Sequence, residues 1–237
     1  FITIVSDYLP LPLGDKAKYS YTKTLEAIGI GKERVFVSFP DLDGIAHKFG
    51  IDSSQYKERI EWIDSHCEKL VDRFLSRHPQ GRIVILSDHG IANAKESVNF
   101  QLERKFGRPD PSKLVYFYDS LYLRVWTRNC SLKKEIVNFL QESKVGYVLT
   151  EEERAFWGLS DSRFGKVIFL LKEGYVFVPN YFGLRLQRAY HGYHPKLESQ
   201  KGIFLYSGSK IAIEPEYLVD VYNTMKRLIQ IEGSKCG

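Results

Sequence analysis

The chain has little of what usually marks a protein by covalent or purely ionic means. Only three cysteines occur in 237 residues, Cys67, Cys130 and Cys236, far apart and without a CxxC pair. So sparse and odd a set argues against a disulfide framework and mildly for a reducing compartment, so we expect a cytoplasmic protein. No run approaches the ~20 apolar residues that a membrane span needs. The opening FITIVSDYLPLPLGD lacks both a basic start and a small-residue cleavage site, so it does not read as a signal peptide. It begins inside a strand-like segment without Met, which is the pattern of a fragment starting mid-domain. Lysine and arginine exceed the acidic residues only enough for a net charge of +5, and they form no long blocks. No nucleic-acid polymer is therefore expected as a partner. There is no GxxxxGK[ST] loop, no GxGxxG fingerprint and no GxSxG elbow. Repeats and low-complexity tracts are also missing.

What is there suits a globular α/β protein. The apolar fraction is 43%, the charged fraction 27%, and 15 Tyr with 15 Phe supply core material. Residues 2–5 read as a strand, 16–28 as a helix and 34–39 (RVFVSF) as a strand stopped by Pro40. A loop is expected over 41–50. Residues 54–77 carry Ile60, Ile63, Cys67, Leu70, Val71, Phe74 and Leu75 at helical spacing. The near-continuous apolar run RIVIL at 82–86 reads as a buried parallel strand. Strand–helix–strand alternation implies crossovers and a mainly parallel sheet flanked by helices. The middle changes character: 114–127 alternates like a hairpin, 131–143 is a helix, and 145–149, 166–171 and 174–178 are strands. This predicts residues 1–114 and 181–237 as an α/β core and 115–180 as an inserted α+β lobe. A strand at 202–206 and a helix from about 217 to 231 close the chain.

Three short clusters carry the chemistry: Asp43 with His47, Asp88 beside His89, and His191. Each lies where a strand is expected to give way to a loop, the end of the sheet at which α/β proteins bind ligands. Carboxylate and imidazole together suit Zn²⁺, with Mn²⁺ or Fe as alternatives. Alone, each cluster has a plainer explanation: a helix-capping aspartate with a surface histidine, a polar turn, a solitary histidine. Asp41 competes with Asp43, and His194 with His191. Jointly, three clusters in order point to a metal site. His66 and His78 read as solvated residues. The aromatic run 116–126 reads as a sheet face, and YVFVPNYF at 175–182 as packing that could also wall a substrate cleft. No residue stands out as a nucleophile.

PDLDGIAHKFG, the long helix, RIVILSDHG, and HGYHP before GIFLYSG together resemble the type I phosphodiesterase/nucleotide pyrophosphatase family of the alkaline phosphatase superfamily. The resemblance runs from about residue 33 to the end, including FWGLSDSRFGKVIFLLKEGYVFVPNYFG. It implies an alkaline-phosphatase-like fold and two divalent ions, expected to be Zn²⁺. One would be held by Asp43, His47 and His191, the other by Asp88, His89 and an aspartate from an earlier segment. It further implies a Thr or Ser nucleophile at an upstream helix start. Thr3 and Ser6 lack that motif, so the 237 residues alone are expected to be inactive or weak. Ala46 stands where many members have glycine, and the closing helix lacks the family's usual proline. The implied activity is hydrolysis of phosphodiester or pyrophosphate bonds in nucleotides or similar small phosphate esters. A phosphomonoesterase, phosphotransferase or mutase of the same superfamily, a non-catalytic metal-stabilised module, and an α/β protein without metal are the rival readings.

Overall fold

The computed structural model describes residues 2–6, 9–207 and 215–230. In chain order the elements are β1 Ile2–Ile4, α1 Asp15–Gly29, β2 Val35–Val37, α2 Asp41–Phe49, α3 Ser54–Arg77, β3 Val84–Leu86, β4 Ala92–Asn93, β5 Glu96–Val98, α4 Leu102–Phe106, β6 Leu114–Tyr118 and β7 Tyr122–Thr127. They continue with α5 Cys130–Glu142, β8 Gly146–Val148, α6 Glu151–Phe156, β9 Val167–Leu171, β10 Tyr175–Phe177, β11 Ala189–Tyr190, β12 Phe204–Tyr206 and α7 Leu218–Gln230. By their contacts the residues fall into two compact units. Among the described residues, one lies within 1–45, 52–90 and 201–237, the other within 46–51 and 91–200. Among the described residues, no helix is long and apolar enough to cross a membrane.

In the first unit, β1, α1 and β2 make a strand–helix–strand turn with parallel strands, Ile2 opposite Val35 and Ile4 opposite Val37. Ser6 is fully buried just after β1. Its hydroxyl donates to the Lys16 carbonyl at 3.0 Å and lies 2.8 Å from Ser20 Oγ, which ties the strand's exit to the start of α1. A serine so enclosed is a packing residue. β3 pairs antiparallel with β12, Leu86 opposite Phe204. Helix α3 begins at Ser53, whose hydroxyl accepts from the Tyr56 N–H at 3.2 Å. His66 does not stand in solvent as expected. It stacks on Trp62 at 3.8 Å, and its Nδ1 lies 2.7 Å from the Trp62 carbonyl. His78 packs on Phe74 at 4.8 Å.

One carboxylate ties α1 and α3 to the first turn of α2. Helix α1 follows Gly14, which has a left-handed backbone (φ 99°) and no side chain to serve as a cap. The N–H of Ala17 is instead taken at 2.9 Å by Asp41 Oδ2, from the first residue of α2. Arg59 of α3 brings Nη1 to 3.6 Å from the same oxygen and lays its guanidinium over the Trp62 ring at 5.1 Å. Asp41 is 1% exposed, so its charge relies on these partners rather than on water. Asp41 Oδ1 and Arg59 Nη1 have no hydrogen-bond partner among the described residues, so the pair is held by Coulomb attraction at a distance.

The second unit is built on an antiparallel sheet in the order β6-β7-β9-β8. Every residue of β9, VIFLL, is buried. Side chains alternate across a strand, so β9 feeds two cores at once. Val167, Phe169 and Leu171 join Leu123, Val125 and the α5 residues Ile136 and Leu140. Ile168 and Leu170 join Ala92, Val176, Tyr190 and Tyr193 on the other face. β5 and β10 pair parallel, β4 and β11 antiparallel. Thr150 and Glu153 cap α6 reciprocally, and the next residue, Arg154, is 5% exposed. Its guanidinium donates to the carbonyls of Leu159, Gly165 and Lys166 at 2.8–3.4 Å.

Two outcomes follow from this packing. Asp41→Asn keeps the shape but leaves the Arg59 cation uncompensated. We expect it to cost on the order of 3 kcal/mol in urea unfolding, and an unchanged midpoint would show that Asp41 does not organise the helices. The second concerns alkali. Burial raises the hydroxyl pKa of Tyr118, Tyr122 and Tyr193, and burial followed by the Glu153 charge pushes that of Tyr147 up to about 12. Unfolded tyrosines ionise near 10. Their contribution to stability is complete below pH ~10 and is lost as pH climbs toward the folded values, because only the unfolded chain releases protons in that window. Urea midpoints should therefore fall between pH 10 and 12, with tyrosinate absorbance rising together with unfolding.

Candidate metal centre

The segment expected to be a loop, 41–50, is largely helix α2, DLDGIAHKF. Two features outweigh Gly44 in its middle. Asp41 and Asp43 lie in the first turn and Lys48 in the last, each favourable to the helix dipole. Gly50 then stops the helix with φ 86°, its N–H donating to the Ala46 carbonyl at 2.8 Å. A side chain at Gly50 would crowd Asn93 Oδ1 at 3.1 Å, and that oxygen accepts from the Ile51 N–H at 2.9 Å. The two aspartates are engaged differently. Asp41 is spent on α1 and Arg59, while Asp43 and His47, four apart, share a face of α2. The Asp43 charge also reaches Tyr56 on α3, whose hydroxyl pKa is raised first by burial and then by that charge.

Both histidines that follow a carboxylate are turned the same way. His47 Nδ1 is 2.7 Å from the Ala189 carbonyl, and His89 Nδ1 is 3.0 Å from the Gly90 carbonyl. A carbonyl can only accept, so in each ring Nδ1 carries the hydrogen and Nε2 presents a lone pair. That is how a protein prepares imidazole as a ligand. His89 Nε2 then faces Asp88 Oδ2 at 3.5 Å. A divalent cation between these two electron-pair donors would join them. Two tetrahedral ligands at ordinary zinc distances lie about 3.4 Å apart. Asp43 also offers a ligand atom within 4.8 Å of one on His89. The donor set therefore fits a divalent ion. Asp88 and His89 leave β3 through Ser87, whose N–H donates to the Ile203 carbonyl at 3.1 Å and whose hydroxyl accepts from the Ile203 N–H at 2.9 Å.

His191 follows β11, and its ring centroid is 5.3 Å from that of His47. The residues around it are firmly tied. Gly192 takes φ 97°, open to glycine but strained for any side chain. Tyr193 is 2% exposed, with its ring in the core beneath β9 and its hydroxyl donating to the Tyr175 carbonyl at 3.1 Å. His194, the rival of His191, turns elsewhere. Its Nδ1 accepts from the Lys196 N–H at 3.2 Å, and its Nε2 lies 3.9 Å from Glu153 Oε1.

Thus Asp43 with His89, Asp88 with His89, and His47 with His191 are neighbours. Three supporting residues, Asn93, Tyr122 and Gln200, escape sequence reasoning because they act through hydrogen bonds to backbone far along the chain or around a loop. No short spacing marks them.

Comparison with known proteins gives the family and the fold. The model of the type I phosphodiesterase / nucleotide pyrophosphatase family matches residues 31–194. A search of curated sequences matched nothing. Among solved structures, murine ectonucleotide pyrophosphatase/phosphodiesterase 5 is similar with a TM-score of 0.67 and 18% identity, over 93% of this chain and 60% of that one. An inactive form of that protein is known in complex with AMP. The human counterpart gives 0.67 and 19% over the same shares. Phosphonoacetate hydrolase from Sinorhizobium meliloti 1021 gives 0.60 and 14%, over 89% of this chain and 56% of that one. The chain thus spans about three fifths of these structures. At such identities the likeness is one of fold, which is alkaline-phosphatase-like. With the family model matching more than half of its residues, the chain belongs to the type I phosphodiesterase / nucleotide pyrophosphatase family.

Proposed function

We propose that this chain carries the metal-binding part of a hydrolase that cleaves phosphodiester or pyrophosphate bonds in nucleotides or related small phosphate esters. The observation that carries the reading is the orientation of His47 and His89, each with Nδ1 engaged by a backbone carbonyl so that Nε2 is the electron-pair donor, together with the Asp88 carboxylate 3.5 Å from His89 Nε2. Asp43, His47 and His191 would hold one ion, and Asp88 and His89 would contribute to a second, both Zn²⁺. Such ions, when bound, lower the pKa of an attacking oxygen and stabilise charge on the phosphoryl group. The chain's own share is geometric. α2 sets the spacing of Asp43 and His47, the backbone carbonyls fix the imidazole tautomers, and the Tyr193 anchor holds the His191 loop.

The nucleophile is not among the residues assigned here. Ser6, the early serine, is enclosed and engaged with Lys16 and Ser20. Nucleophile and metals act as a unit, and losing one member of such a unit removes most of the rate.

Metal analysis tests the site. After dialysis against zinc and removal of loose ions, the protein should hold at least one zinc per chain, and the Asp43→Ala/His191→Ala variant should lose it while remaining folded by circular dichroism. A folded protein without metal would overturn the reading. Hydrolysis tests the division of labour. With zinc present, these 237 residues should turn over bis-p-nitrophenyl phosphate far below the ~1–10³ s⁻¹ of ordinary enzymes. Turnover within that range would place a nucleophile in this chain after all.

A further inference from the structure

The loop that carries His191 is held by a side chain nine residues further on. Helix-like turn 198–200 brings Gln200 back over the loop, and its Oε1 accepts from two consecutive backbone N–H groups, Gly192 at 2.7 Å and Tyr193 at 3.1 Å. On the other side of the same peptide, the Tyr122 hydroxyl of β7 donates to the Gly192 carbonyl at 2.7 Å. Residue 192 therefore has both its N–H and its C=O occupied by side chains from elsewhere. Gln200 is itself held. Its N–H donates to the Leu197 carbonyl at 3.0 Å, and its Nε2 donates to Ser199 Oγ at 3.2 Å, which in turn donates to Glu173.

This clamp meets a particular need. With φ 97°, the Gly192 backbone has access to conformations that other residues lack. A glycine next to a ligand residue lets the ligand's Cα–Cβ direction swing. Two adjacent N–H groups turned to one side form a concavity that draws an acceptor oxygen. In this chain a neutral amide oxygen fills it, so the loop is set without placing an anion there. Tyr193 anchors the far end in the core. The loop on either side of its glycine is thus held by Gln200, Tyr122 and the Tyr193 ring, with His191 at its start.

We infer that Gln200, assisted by Tyr122, is a positioning residue that fixes the direction of His191 toward a divalent ion. The inference rests on the proposed role of His191 as a ligand. Supporting residues of this kind typically contribute 10–100-fold in metal affinity.

The test uses the full 237-residue chain with Zn²⁺, measured by chelator competition, and with Co²⁺, whose visible spectrum reports ligand geometry. Gln200→Leu keeps the bulk and removes the acceptor. It should weaken zinc binding about 10–100-fold and change the cobalt spectrum. Gln200→Glu keeps an oxygen at the same reach and should bind within a few-fold of the parent. Tyr122→Phe should fall between. Placed on His191→Ala, Gln200→Leu should bring no further loss of affinity. Thermal unfolding without metal shows each variant folded. If Gln200→Leu binds as tightly as the parent, or Gln200→Glu is as impaired as Gln200→Leu, the positioning role is wrong while the metal site stands. If the parent binds no metal, or binds it independently of His191, the proposed function itself fails and takes this inference with it.

Discussion

A carboxylate sealed from water cannot be left without a positive partner, and at Asp41 that requirement organises the first unit. The oxygen that caps α1 at Ala17 is also the one that faces Arg59, so α1, α2 and α3 must meet around it. The constraint reaches the chemistry through a separation of two residues. Asp43 lies on the same first turn, and its direction is set by the helix that Asp41 secures. The price is visible in the unpartnered Asp41 Oδ1 and Arg59 Nη1. A better-satisfied arrangement would hold the helices with less strain, but it would need another donor inside a packed junction.

Much of this was legible in the sequence because it is written in local periodicity. The helix over Ser54–Arg77 follows from apolar residues at three- and four-residue spacing, and RIVIL does end in a strand before Asp88 and His89, though not the buried parallel one expected: Val84–Leu86 pairs antiparallel with β12 and is only partly covered. The candidate ligands were legible as well, since DxxxH and DHG place donors at spacings that a single turn or strand end can bring to bear. The helix over Asp41–Phe49 was not, because Pro40 and Gly44 read as loop punctuation. Much of what fixes it lies outside the segment: an amide from Ala17, a cation from Arg59, and Asn93 against the Gly50 stop. His66 likewise looks like a surface residue until Trp62 and Tyr21 are seen beside it. Tertiary partners far along the chain leave no mark on local composition.

The two histidines with carbonyl-bound Nδ1 show how backbone can do electronic work. Neither Ala189 nor Gly90 offers a side chain that a motif search would notice, yet each carbonyl decides which ring nitrogen bears the proton. His47 is tied to two consecutive residues, since beside the Ala189 carbonyl on its ring its own carbonyl accepts from the Arg188 N–H at 2.8 Å. Rotation of that ring would break one bond without relieving the other.

The buried strand β9 has an implication for the chain before it folds. VIFLL presents five consecutive uncharged, mostly β-favouring side chains, and in the native sheet all are covered. In an unfolded or nascent chain the same five residues are a ready template for intermolecular strand pairing. A lysine stands at each end, Lys166 before the strand and Lys172 after it, and both are exposed. Lys172 reaches the Lys144 carbonyl at 2.8 Å, a contact of small energetic weight on the surface. Their larger value lies in repulsion between copies. Stacking two such strands in register would bring like charges together at both ends, so the flanking lysines act as gatekeepers against aggregation during synthesis.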